Sequence, residues 1–288
     1  MTKMGATAIG FVAVLLWSLL ALFTVGSVPT PPLLLNAICF SIGGSLGLIW
    51  VFATGGLRHL RQISWMTYLF GAIGLFGYHA LYFSALRMAP AAEAGLIAYL
   101  WPLLIVLFSG LLPGETLRLG HLLGACLGFA GAAVIIGGGG SAGFQAQHLP
   151  GYGLALLCAL TWSGYSVLSR RLGDVPTSSV AVFCILTAIA SWVLHFAVED
   201  TVLPNSLLGW TSVLALGLGP VGLAFYVWDI GVKRGDIQIL GTASYAAPLL
   251  STLALVVAGI AAPSWGLAIA ALLVTGGAAI AARASLRS

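Results

Sequence analysis

The sequence predicts an all-α integral membrane protein of ten transmembrane helices, arranged as two inverted five-helix repeats. Three observations predict this class. First, charged residues make up 6% of the 288 and apolar residues 60%, whereas an average soluble protein is about 25% charged. With a mean hydropathy of +1.08, the chain lacks the polar side chains needed to cover 29.6 kDa in water, so lipid is the solvent for most of it. Second, apolar stretches of about 20 residues, the length that crosses a bilayer core, recur between charges, prolines and glycine clusters. Third, short patterns in the first half return in the second.

Taken in order, the spans fall at 5–25, 33–53, 66–86, 91–110, 118–136, 152–171, 177–197, 208–228, 237–258 and 264–282. The connections are short, which implies antiparallel neighbours. The longest link, Gly137 to Gly151, holds four consecutive glycines and then Ser-Ala-Gly, the composition of a flexible tether. It divides the chain into repeats at 1–146 and 147–288. Cations set the orientation. With the N-terminus in the cytoplasm, the inner ends hold Lys3, Arg58, Arg61, Arg118, Arg170, Arg171, Lys233, Arg234, Arg283 and Arg287, and the outer side keeps Arg87 with Glu199 and Asp200. Both termini are then cytoplasmic.

The repeat is carried by Gly95, Tyr99, Pro102, Leu103 and Leu104, which return 146 positions later as Gly241, Tyr245, Pro248, Leu249 and Leu250. At the same offset Arg87 meets Lys233 and Gly131-Ala-Ala meets Gly277-Ala-Ala; Trp17-Ser18 meets Trp162-Ser163 at 145. Five spans is an odd number, so the second copy must run through the membrane the other way up. Inverted repeats of this kind supply alternating access in many transporters.

Ten spans in two five-span halves, Trp-Ser in the first span of each and a proline inside the fourth resemble the drug/metabolite transporter superfamily with two EamA-type domains. The aromatic content of the presumed cavity resembles most the aromatic amino acid exporter branch. That resemblance implies a bacterial inner membrane, a basket-like helix arrangement and amino acid efflux.

Tryptophan and tyrosine ordinarily collect at membrane interfaces, as Trp50, Trp65, Tyr68, Tyr152, Trp210 and Trp265 are expected to do. Trp17, Tyr99, Trp101, Trp162, Tyr165 and Tyr245 instead fall near mid-span, with Tyr78 and Tyr82 slightly beyond it. Their N–H and O–H groups need partners that lipid does not offer. His79 sits among Tyr78, Tyr82 and Phe83 as the histidine placed clearly inside a span; charged, it binds a carboxylate, and neutral, it accepts from an amino group. Trp17, Tyr78, His79, Tyr82, Tyr99, Trp101, Trp162 and Tyr245 are therefore the expected substrate-binding residues, with interhelical packing as the alternative for any one of them. Pro102 and Pro248 are the expected hinges, freeing the carbonyls of Ala98 and Ser244. Glu93 is expected to cap the first turn of its helix, Asp229 to pair with Lys233, and Asn36 to be a weaker candidate.

Several classes are excluded. The scattered cations form no nucleic-acid surface. Cys39, Cys126, Cys158 and Cys184 have no metal-binding spacing, and no cofactor motif, paired mid-span carboxylates or Gly-x-Ser-x-Gly suggests an enzyme. No Lys or Arg lies mid-span, which argues against phosphorylated substrates. The expected solute is a zwitterionic amino acid, especially an aromatic one. Threonine, homoserine, cysteine derivatives or drugs are the alternative, and protons are left open as a coupled partner.

Overall fold

The computed structural model describes residues 1–137, 145–172, 174–260 and 262–286. Among these residues there is no strand. Among the described residues nine helices are long and apolar enough to cross a membrane, and a shorter apolar stretch runs Glu93–Ser109. The elements are α1 (Lys3–Trp17), α2 (Leu20–Gly26), α3 (Pro32–Ala53), α4 (Leu57–Leu60), α5 (Trp65–Ala72) and α6 (Tyr78–Met88). They continue with α7 (Ala91–Ala98), α8 (Trp101–Ser109), α9 (Leu119–Gly137), α10 (Leu149–Arg171) and α11 (Ser179–Val198). The last are α12 (Leu207–Leu218), α13 (Ala224–Arg234), α14 (Ile237–Ala243), α15 (Ala246–Val257) and α16 (Trp265–Ser285).

Helix starts follow local chemistry. Ser64, Ser206 and Ser264 accept the first free N–H groups of α5, α12 and α16, and Asp236 does so for α14. Pro32, Pro102 and Pro150 occupy the first turns of α3, α8 and α10, where a missing N–H costs nothing. Large apolar side chains such as Ile49, Phe52, Ile73, Val193, Phe196 and Leu272 stay exposed along the helices, as a lipid-facing surface requires.

Two irregularities occur twice. A π-helical turn at Ile73–Gly77 joins α5 to α6, and another at Gly219–Leu223 joins α12 to α13; the two lie 146 residues apart. The chain is also severed at 99–100 between α7 and α8, and at 244–245 between α14 and α15. The prolines thus act upstream of their own positions. One expectation needs correction here: the Ser244 carbonyl is not orphaned, because the Ala247 N–H donates to it at 3.1 Å.

Packing also pairs up. α1 lies against α13 as α10 lies against α6, while α3 packs on α11 and α9 on α16. Glycines allow the closest approaches. A Cβ at Gly10 would stand 2.8 Å from the Gly231 Cα, and one at Gly43 would stand 2.7 Å from the Gly222 Cα.

Charges divide between two ends. At one, Lys3 pairs with Asp236 at 3.2 Å and Lys233 with Asp229 at 2.9 Å, the latter as expected. Arg170 binds Glu115 and the carbonyls of Val232 (2.9 Å) and Gly235 (2.8 Å). Ser285 bonds His121 at 3.1 Å, so the first helix begins and the last helix ends at this same end. At the other end Arg87 reaches Glu199 at 3.3 Å, and Glu199 accepts from the N–H groups of Leu33 and Leu34 that open α3. Most of the expected tether, residues 138–144, lies outside the described residues, as does Arg287. The tether is in any case shorter than expected, since a single 3₁₀ turn at Ala146–His148 leads directly into α10.

A candidate substrate site at the aromatic junction of five helices

Trp17 is the last residue of α1, and its indole nitrogen donates to the Pro220 carbonyl at 3.1 Å. That carbonyl belongs to the π turn before α13, so the irregular backbone finds its partner in a side chain. Around Trp17 stand Trp101 at 6.1 Å, Trp162 at 5.8 Å, Phe225 at 6.2 Å and Trp228 at 5.1 Å between ring centroids. These rings come from α1, α8, α10 and α13. Helix α6 adds Tyr78, 5.5 Å from Trp162, together with Tyr82 stacked on Tyr78 at 6.2 Å and 6°. Tyr99, at the break, lies 6.5 Å from Trp101.

The members of the cluster differ in burial. Trp101, Trp162, Tyr165 and Trp228 are buried. Trp17, Tyr78, His79, Tyr82 and Tyr99 keep part of their surface accessible. His79 donates from Nδ1 to the Leu75 carbonyl at 2.7 Å. A carbonyl only accepts, so Nδ1 must carry the proton, and in the neutral ring Nε2 is left as an acceptor. Its ring meets Phe40 at 5.1 Å and Tyr78 at 5.2 Å, both nearly perpendicular. No Lys or Arg stands within four residues of Trp17, Tyr78, His79, Tyr82, Tyr99, Trp101, Trp162 or Trp228. The arrangement offers aromatic faces with a few neutral polar tips.

Seven of the eight expected residues therefore come together. Tyr245 stands apart: it is fully buried, lies 6.2 Å from Phe129, and its hydroxyl accepts the Leu103 N–H at 3.0 Å. It closes the first turn of α8 and so ties the two broken helices to each other. Two cluster members were not anticipated, Phe225 and Trp228. They stand 146 positions after His79 and Tyr82, so the repeat itself would have found them. Trp228 donates to Ser166 at 3.1 Å.

Other expectations resolve as structure. Asn36 donates to Ser191 at 2.8 Å. Tyr152, in the first turn of α10, is buried beside Ala85, Ala89 and Ala94. His79 is not alone within a helix, because His121 and His195 are buried near the ends of α9 and α11. Glu93 does not cap α7 through hydrogen bonds, since neither carboxylate oxygen has a partner. A recess of about 550 Å³ opens at the cation-rich end, lined by Lys3, Thr7, Glu115, Asp236 and Gln238, away from the aromatic rings. Its charged groups are tied to one another or to Arg170. Burial alone would push the Asp236 carboxyl up, but the Ile239 N–H and Lys3 hold it below the ordinary carboxylate value.

The sequence profile of the EamA-like transporter family matches residues 4–137 and again 149–283. The chain belongs to the EamA-like transporter family. Over 283 residues it is 56% identical to the aromatic amino acid exporter YddG of Ancylobacter novellus, covering 98% of each chain. It is 28% identical to the aromatic amino acid exporter YddG of Escherichia coli, over 88% of each. A crystal structure of a protein of 56% identity superposes with a TM-score of 0.93, over 97% of this chain and 98% of that one. This EamA-family chain is thus a multi-pass membrane transporter and not an enzyme.

Proposed function

We propose that the protein exports aromatic and other neutral amino acids across a bacterial inner membrane by alternating access. The observation that carries this reading is the cluster in which partly accessible Trp17, Tyr78, His79, Tyr82 and Tyr99 gather beside buried Trp101, Trp162 and Trp228. An aromatic side chain stacks on such faces for about 0.5–1.5 kcal/mol per ring pair. The substrate ammonium gains a similar amount over an aromatic face and finds an acceptor in His79 Nε2. A net-neutral solute leaves no uncompensated charge, which suits a site without Lys or Arg. The export of aromatic amino acids named for both relatives supports the same substrate class.

Ten crossings in two inverted halves, 1–146 and 147–288, are part of this reading. The π turns and helix breaks repeated at one offset, the reciprocal helix packing and the double family match all support it. So do the chain ends that share one face. By the cation bias that face is cytoplasmic. Arg170, Lys3 and Lys233 tie that face together through ion pairs and carbonyl bonds. Pro102 and Pro248 set the hinges on which the half-helices α8 and α15 turn, and Tyr245 couples them through α8.

Counterflow of labelled phenylalanine in proteoliposomes tests the reading. His79→Ala and Tyr99→Ala are each expected to weaken apparent affinity by about 2- to 10-fold, the equivalent of one lost ring contact. Unchanged transport in both variants would remove the site from the pathway. A competition panel of phenylalanine, tryptophan, threonine and homoserine then ranks the solutes.

A further inference from the structure

The nine tryptophans divide by what their indole N–H groups do. Trp50, Trp65, Trp210 and Trp265 are exposed. Of the five that are enclosed or partly enclosed, Trp17 donates to the Pro220 carbonyl, Trp192 to Ser41 and Trp228 to Ser166. Trp101 and Trp162 differ. They are 5% and 3% exposed, yet among the described residues neither N–H has an acceptor. The polar atoms sealed away without a partner belong to Thr30, Glu93, Ser179, Thr187 and Thr242. The two indole nitrogens are not among them, so each keeps an opening to space that water or a solute enters.

An indole N–H only donates, and leaving its bond unmade inside a protein costs free energy. Packing alone does not require it: Phe225, beside Trp162 in the same cluster, supplies a ring with no polar atom. The neighbouring open groups sharpen the contrast. Tyr78, Tyr82 and Tyr99 carry hydroxyls that both donate and accept, so they discriminate little. His79 Nε2 only accepts, since Nδ1 holds the proton. Two groups that only donate and one that only accepts fit a pair of acceptor oxygens joined to an N–H-rich group. The α-carboxylate and α-ammonium of an amino acid have that form.

Both donors are departures from the symmetry of the repeats. Trp162 is the counterpart of Trp17 at an offset of 145, but Trp17 is tied to the second π turn and Trp162 is not tied to the first. The Gly74 carbonyl, 146 positions before that of Pro220, already accepts the Tyr78 N–H. Trp101 has Ala247 as its counterpart, so the second half-helix is built without an indole there. The shared fold therefore demands neither free N–H. Their rings stand 6.3 Å apart at 89°, one on α8 of the first repeat and one on α10 of the second. A carboxylate offers about four lone-pair sites on its two oxygens and accommodates donors approaching in perpendicular planes.

We propose that the Trp101 and Trp162 N–H groups receive the substrate carboxylate and so make the carrier selective for amino acids over the corresponding amines, which rests on the transport reading above. A hydrogen bond to an ionised acceptor is about twice as strong as one between neutral groups, and this is the source of the selectivity. Neutral donors also suit a carrier that must reorient when empty. A buried cation would then stand uncompensated, whereas an indole N–H is satisfied by one water.

Full-length protein in detergent tests this through ligand-induced rises in melting temperature, which need no transport. Wild type is expected to bind phenylalanine at least about 10-fold more tightly than phenethylamine, which keeps the ring and the ammonium but lacks the carboxylate. Trp101→Phe and Trp162→Phe each retain a ring and lose the N–H. Each should weaken phenylalanine about 10-fold and phenethylamine by less than about 2-fold. Trp192→Phe, whose N–H is engaged by Ser41, should leave the ratio at its wild-type value. Equal binding of the two ligands by wild type overturns the proposal. So does either junction variant if it weakens both ligands alike, as a packing role would, or weakens neither. Where those variants do not fold, ultraviolet resonance Raman on wild type decides. The band that reports indole N–H hydrogen bonding should move on addition of phenylalanine and not of phenethylamine; a band unmoved by phenylalanine, or moved equally by both, overturns the assignment. Absence of phenylalanine counterflow from wild type would instead strike the transport reading.

Discussion

The indole of Trp228 shows how much one side chain carries at the aromatic junction. It is 1% exposed, touches Trp17 and Trp162, and donates to Ser166. Trp228→Ala leaves a cavity that should cost about 3–5 kcal/mol, read as a clear drop in melting temperature in detergent and loss of phenylalanine counterflow. Trp228→Phe gives up mainly the Ser166 bond, about 1 kcal/mol, and should melt close to wild type. Equal melting of all three proteins would contradict the packing role. Sequence reasoning found Trp17, Tyr78, His79, Tyr82, Tyr99, Trp101 and Trp162 because polar-tipped aromatics at mid-span have nowhere to go in lipid. It overlooked Trp228 and Phe225, which lie close to the ionic pair of Asp229 and Lys233 and read as the edge of a span. It assigned Tyr245 to the cluster because its span position matches that of Tyr99. Only the packing of α15 against α9 turns that ring away to cap α8.

At the level of elements, the glycine contacts decide which helices can touch. Gly10 and Gly231 bring α1 and α13 together with no room for a Cβ, and α13 carries both Phe225 and Trp228. Gly10→Val should force the pair apart at a cost of about 1–3 kcal/mol, as overpacking does. It should lower both melting temperature and transport, whereas substitution at the unencumbered Gly164 should change neither. Similar melting of the two variants would show that α1 has slack against α13. The helix breaks were legible from Pro102 and Pro248, although their place was not. The proline ring crowds the preceding turn, so the chain leaves helical geometry two to four residues upstream. The paired π turns had no comparable signature. They contain ordinary glycines and apolar residues, and in the second the Pro220 carbonyl is bonded by Trp17 from another helix.

Across the whole molecule, most of the ion pairs gather at the cation-rich end. Arg170 holds Glu115 together with the carbonyls of Val232 and Gly235, thereby joining α10, the loop before α9 and the turn between α13 and α14. Arg170→Ala should loosen these ties and raise maleimide labelling of a Ser109→Cys probe at the buried end of α8, in a background where exposed Cys126 is replaced by serine. Labelling no faster than with Arg170 intact would mean the end is held by apolar packing alone. Acid should act in the same direction. The Asp236 carboxyl is held below its ordinary value in the folded protein, so its stabilisation is complete above that ordinary value and is lost as pH falls through the lowered one. Probe labelling should accelerate in that acidic window, and Asp236→Asn should remove this part of the pH dependence.

Composition and periodicity determined the solvent of this protein, its helical class, its repeat and most of its unusual aromatic residues. These are properties of short windows of chain: twenty apolar residues demand a membrane wherever they occur, and a copied motif remains readable across 146 positions. Tertiary structure decided which rings share a junction, which tyrosine caps a helix instead, and which carboxylate is left without a partner. Those outcomes depend on how each helix is rotated and on what its neighbours present. That is settled by packing between residues far apart in sequence, and no local window contains it.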